Sequence, residues 1–209
     1  FSQLADEFGV AADAEDRDLR ILEEETNRID EGLMRKLCDA GAVWLRDKES
    51  AEKFLEELKA NVRYVLKETA KEEKVGGNNA NAQEMVRDKG RQGWSLDDFW
   101  KQREAKAAHL SKAEVAALRL YTSSTFRMIN GPLRAKCETH PLAGTTMLIS
   151  EALKKLRALH MHTKNFKTMY LWRGMRDRTV SEEFMVKGGT ELACMSTSSD
   201  LRVVASYAK

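Results

Sequence analysis

Two groups of residues in this 209-residue chain have the types and spacing to handle an anionic, sugar-bearing ligand. Near the C-terminal end, Ser196, Thr197 and Ser198 form a run of hydroxyls just ahead of a predicted helix from Leu201, which Ser199 or Asp200 can cap. Arg173 ends an apolar, β-prone run from Thr168 to Trp172 and precedes Gly174. Hydroxyls at a helix start, beside an arginine at the end of a neighbouring strand, bind an anion and orient a sugar, because both supply fixed donors. Upstream, Asn130 and Arg134 flank Gly131 and Pro132, a pair that predicts a break and a turn open to a ligand. The same residues also fit an edge strand and an ordinary helix cap, which need no ligand.

The elements that must position these residues are legible from periodicity. From Asp18 to about Leu45, the apolar positions Leu22, Ile29, Leu33, Leu37 and Trp44 predict one helix, with Cys38 beside the stripe. After the candidate cap Ser50, the residues Ala51, Leu55, Leu58, Val62, Val65 and Leu66 predict an amphipathic helix. Paired Gly and repeated Asn from Val75 to Ala82 predict a loop. Ser95 with Asp97 and Asp98 opens a short helix, and Ser111 with Glu114 makes a capping box at the start of another. Leu148, Ala152, Leu156 and Leu159 mark a helix from about Thr145 to Leu159. Gly188 and Gly189 predict a turn, followed by a short strand from Glu191 to Met195. The acidic run from Glu23 to Glu25 reads as solvated helix surface.

Three segments, LRLYTSSTFRMINGPLR, YLWRGMRD and MSTSSDLRVVASYA, occur in an order that resembles the opening and central motifs of arginine-type mono-ADP-ribosyltransferases of the R-S-E class. The resemblance covers residues 111–209. It implies an α+β fold, in which a helical N-terminal region precedes the first part of a split mixed β-sheet domain that clamps NAD+. It further implies that Arg173 holds the NAD phosphates and that Ser196, with Thr197 and Ser198, braces the sheet and the nicotinamide ribose. Asn130 and Arg134 then contact the adenosine and phosphate side, while Tyr121 and Leu133 are packing residues. NAD+ is the implied co-substrate, an acceptor protein the implied partner, and no metal is implied. The family's ExE glutamates belong after the serine motif, where this chain has none. Glu182 and Glu183 precede it and are adjacent, so they do not fit, and the expectation is a native chain that continues further.

Composition bounds the rest. The 42% hydrophobic content supports a core, and no apolar run reaches the roughly 18–20 residues that span a bilayer. Three Cys without CxxC spacing argue against a disulfide framework or a structural zinc site and favour a reducing intracellular compartment. A start at Phe1 suggests a processed product or a fragment. Charge divides the chain into an acidic half, residues 1–110 at −6, and a basic half, residues 111–209 at +8. These halves are the expected domains, a helical region and the transferase-like portion. The helical half can serve as a cap or as a docking surface for a protein partner. Nucleic acid ranks last, since the basic residues are scattered and no RNP or zinc-finger pattern occurs. The favoured function is transfer of ADP-ribose from NAD+ to a protein side chain, with arginine the expected acceptor. The alternative is a non-catalytic binding or assembly subunit with a transferase-like fold.

Overall fold

The structure, a computed structural model, describes residues 17–40, 42, 45–67, 74–75, 85–86, 88, 90–91, 93–161, 170–174 and 181–207. Helix α1 covers residues 17–28 and α2 covers Glu31–Asp39. The single helix expected here is two, because Asp30 acts as an N-cap: its side chain accepts the Leu33 N–H at 2.8 Å. Trp44 lies outside the described residues. Helix α3, Lys48–Lys67, begins ahead of the predicted Ser50, and the Asp47 carboxylate takes the Ser50 N–H at 2.7 Å. Its predicted apolar face is buried, from Ala51 through Leu58 to Val65. Two short strands follow, β1 (Lys74–Val75) and β2 (Met85–Val86), paired antiparallel. Residues 76–82 of the predicted loop lie outside the described residues.

The stretch after Ser95 folds as two five-residue helices, α4 (Leu96–Trp100) and α5 (Arg103–Ala107), with Ser95 and Asp98 closing a capping box. Helix α6, Lys112–Tyr121, starts at the predicted Ser111–Glu114 box. Helix α7, Phe126–Arg134, runs through Pro132, so the predicted break does not occur. A proline disfavours helical backbone in the residue before it partly through that residue's Cβ, and Gly131 has none. Met128 and Ile129, fully buried, anchor the turn above. Helices α8 (Ala143–Met161), α9 (Glu182–Lys187) and α10 (Leu201–Tyr207) complete the order.

Helix α6 is the centre of the packing, touching α3, α4, α7 and α8. Ala113, Ala116 and Ala117 are wholly buried on it, and small side chains let neighbouring helices approach closely. One apolar cluster gathers Leu22, Leu58, Leu120, Ile129 and Ile149, so the core draws on residues either side of residue 110. A smaller cluster centred on Leu110, Val115 and Ala152 packs Trp100, Leu156 and Leu159. Among the described residues no helix is long and apolar enough to cross a membrane.

The expected α+β architecture is overturned. The described residues are about two-thirds helical and contain no mixed sheet. The predicted strand up to Trp172 is reduced to one antiparallel bridge with Ser198, and residues 191–195 form no strand. Thr168 and Met169 lie outside the described residues. Strand pairs need a buried face or further partners to be stable. Here Tyr170 (80% exposed), Leu192 and Met195 are all exposed to solvent, so one bridge does not extend into a ladder.

Glu25 is not merely solvated surface. Its carboxylate accepts from the Gly144 N–H at 2.5 Å, the Thr145 N–H at 2.9 Å and the Thr145 hydroxyl at 2.7 Å, capping α8 from α1. Negative charge at a helix N-terminus is favoured, since those N–H groups have no partner within the helix. We expect Glu25→Ala to destabilise the fold by about 1.5–3 kcal/mol in urea denaturation. A change below about 0.5 kcal/mol would mean that water replaces the carboxylate without loss.

Candidate functional site

The site forms where the irregular segment from Thr190 to Ser198 meets the ends of α6 and α7. Tyr121, the last residue of α6, donates its hydroxyl to the Cys194 carbonyl at 3.0 Å and lies 3.3 Å from the Ser196 hydroxyl. Asn130, only 3% exposed, donates its amide to the Tyr121 hydroxyl at 3.2 Å and to the same Cys194 carbonyl at 3.3 Å. The Asn130 Oδ1 is buried without a hydrogen-bond partner, so the donor half of this amide holds the segment while the acceptor half stays uncommitted.

One turn further along α7, Arg134 grips Glu191 with two nitrogens, Nε at 3.1 Å and Nη2 at 3.2 Å. Arg173 approaches the same carboxylate from the other chain segment, its Nη1 3.2 Å from Oε2. The bridge that orients Arg173 is the pair of hydrogen bonds between Trp172 and Ser198, both 2.9 Å, one residue before it. The Ser198 hydroxyl accepts the Asp200 N–H at 3.0 Å, and the Asp200 carboxylate takes the Arg202 N–H at 2.9 Å, as a cap on α10 does.

Asn130, Arg134, Arg173 and Ser196 are therefore drawn together, with Ser198 bracing the backbone beside Arg173. Thr197 is exposed and takes no part in this network. Asn130 and Arg134 do not flank a turn: Asn130 is inside α7 and Arg134 is its last residue. Two members were missed in the sequence. Tyr121 packs against the core as expected, but its hydroxyl is also the hub of the hydrogen bonds. Glu191 is the anion on which both arginines converge, and it balances part of the positive charge they bring together.

The site is open to solvent, with 43% of the Arg134 side chain and 24% of Arg173 accessible. A broad depression of about 620 Å³ along Lys53, Glu56, Lys59 and Arg63 lies on the outer face of α3 and shares no residue with it. Its alternating charges are those of a solvated helix face. No group of three or more His, Cys, Asp or Glu is placed to hold a metal among the described residues. Cys38, Cys137 and Cys194 are free thiols, and burial raises the pKa of Cys194 above its ordinary value. That makes it a poor nucleophile. No family model, curated protein or solved structure matches this chain.

The hydrogen bond from Arg134 holds the Glu191 carboxyl below the usual carboxylate range. Partial burial opposes that shift, while the Ala193 N–H and the charges of Arg134 and Arg173 reinforce it. A folded-state pKa below the unfolded one makes the pairing contribute fully above the unfolded value, and the contribution is lost as pH falls through the folded value. In a carboxyl-detected NMR titration, Glu191 should protonate below the ordinary glutamate value of about 4.3, and Arg134→Gln should return it towards that value. An ordinary midpoint in the wild type would mean that the pair does not form in solution.

Proposed function

We propose that the protein is a mono-ADP-ribosyltransferase, which moves ADP-ribose from NAD+ to a protein side chain, arginine by the resemblance, and releases nicotinamide. What carries the reading is the convergence of Arg134 and Arg173 on one anion, beside Ser196. Both arginines and the serine stand in the three segments that resemble the transferases. The proposal rests on these side chains and not on a sheet.

In this reading, NAD+ lies with its pyrophosphate between the two guanidinium groups, whose forks match phosphate oxygens in a way that a lysine cannot copy. The Ser196 hydroxyl, 3.3 Å from the Tyr121 hydroxyl, faces the nicotinamide ribose. The bond between the ribose anomeric carbon and the nicotinamide nitrogen breaks, and its electron pair leaves with neutral nicotinamide. Positive charge builds on the ribose, so a firmly held pyrophosphate keeps the reacting carbon in place. An acceptor guanidine nitrogen then bonds to that carbon and loses a proton. The glutamate that stabilises the cationic ribose in the resembling enzymes has no counterpart after Ser198 in this sequence.

Two outcomes follow for the 209-residue chain. NAD+ binds to it, but transfer to an arginine-rich acceptor is slower by orders of magnitude than in a protein carrying that carboxylate, since one such electrostatic group is worth about a hundredfold or more. Arg173→Lys keeps the charge and loses the planar fork, and calorimetric titration should find NAD+ affinity reduced about tenfold or more. Binding unchanged by the substitution would remove Arg173 from the site. No binding by the wild type would remove the transferase reading and leave a non-catalytic binding subunit, which the exposed Tyr170, Met185 and Val186 would then serve as contact surface.

A further inference from the structure

The carboxylate of Glu191 occupies the place where two arginines meet, and it does so with the geometry an oxyanion ligand would use. Arg134 offers Nε and Nη2, one to each carboxylate oxygen, and Arg173 adds a third contact to Oε2. A phosphate presents the same paired oxygens to the same fork. We propose that Glu191 is an internal competitor for the anion site: ligand phosphate enters by displacing its carboxylate, so this one residue sets the affinity for diphosphate-bearing ligands. The inference rests on the reading of the site given above and names what controls access to it.

Several observations support displacement over a fixed structural tie. Glu191 has a fallback, because its Oε1 also accepts the Ala193 N–H two residues on, at 3.1 Å. The carboxylate keeps that bond and gains solvent when a phosphate takes its place on the arginines. The segment can swing without dissolving the seam, since the Cys194 carbonyl is held separately by Tyr121 and Asn130, and Ser198 by Trp172. The residues leading into it include Gly188, with a positive φ of 71°. No regular secondary structure lies between Gly188 and Ser198, so few backbone hydrogen bonds resist the movement. Charge adds the direction: two cations face one carboxylate, and a diphosphate, charged on each phosphate, neutralises both.

The test titrates wild type, Glu191→Gln and Glu191→Ala with inorganic pyrophosphate and, separately, with NAD+. Removing an internal competitor raises apparent affinity by the reciprocal of the fraction of sites it left open, and about tenfold tighter pyrophosphate binding is expected in both variants. Adding Arg173→Gln to Glu191→Gln should abolish that gain. In the wild type, pyrophosphate should shift the Glu191 carboxyl resonance towards that of a free glutamate, an observation that requires no variant. Equal or weaker pyrophosphate binding by both variants would overturn the inference and make Glu191 a positioning residue for the arginines; an unmoved resonance at saturation would do the same. If pyrophosphate binding tightens while NAD+ binds none of the proteins, the competitor stands and the transferase reading fails. If NAD+ binds the wild type and Arg173→Lys weakens it while the Glu191 variants gain nothing, the transferase reading stands and the competitor fails.

Discussion

A stretch of chain with almost no backbone partners is held against a helical body by the side chains of two helix ends, and the candidate site exists only because of that attachment. Tyr121 and Asn130 take the Cys194 carbonyl, and Arg134 takes Glu191. The first two are the stronger anchor. Asn130 is buried, and breaking a hydrogen bond there would strand a polar group away from water, which is penalised more than an exposed bond is rewarded. The Arg134 pair is more exposed, and ion pairs of that kind contribute about 0.2–1 kcal/mol. The seam thus has a firm end at Cys194 and a loose end at Glu191, and the loose end is the one that faces the arginines.

That asymmetry links stability to function. A site whose counter-ion was buried and fully paired would resist any ligand, because removing one partner from a buried pair is strongly unfavourable. A counter-ion at the surface, with a second acceptor bond to its own backbone, can leave at little expense. The helical body is built for the opposite purpose. Its core spans α1 to α8, and Asn61 and Glu114 within it are matched: Asn61 donates to the Ser124 and Thr125 hydroxyls, and Glu114 pairs with Lys155 at 2.6 Å. Arg119 is likewise committed, to Asp88 at 3.0 Å and over the Phe99 ring at 3.9 Å, so this arginine is part of the scaffold.

Much of the scaffold could be read from sequence, because its signals are local. The cap at Ser95, the capping box at Ser111 and the apolar faces of α3 and α8 depend on residues within one or two turns. Asp30 was missed as a cap because the apolar stripe runs on past it, from Ile29 to Leu33. Pro132 predicts a break because it removes a backbone donor, yet α7 continues through it on the buried anchor of Met128 and Ile129. The sheet expected from the resemblance failed on a non-local condition: β-prone runs become strands only when neighbours cover them, and the described residues supply one bridge. Arg134, Arg173 and Ser196 were recognisable by type and position, whereas Glu191 was not, as nothing within its own few residues reveals that two arginines 18 and 57 positions earlier in the chain point at it.

The central claim is that Arg134 and Arg173 form one oxyanion cradle that Glu191 fills until a ligand arrives. A crystal structure of the protein with ADP-ribose tests it most directly. The account predicts pyrophosphate oxygens at charge-assisted hydrogen-bond distance, about 2.7–2.9 Å, from both guanidinium groups, with the Glu191 carboxylate turned out to solvent and its bond to Ala193 intact. Density for ADP-ribose at another surface, or Glu191 still gripped by both arginines beside a bound nucleotide, would contradict it.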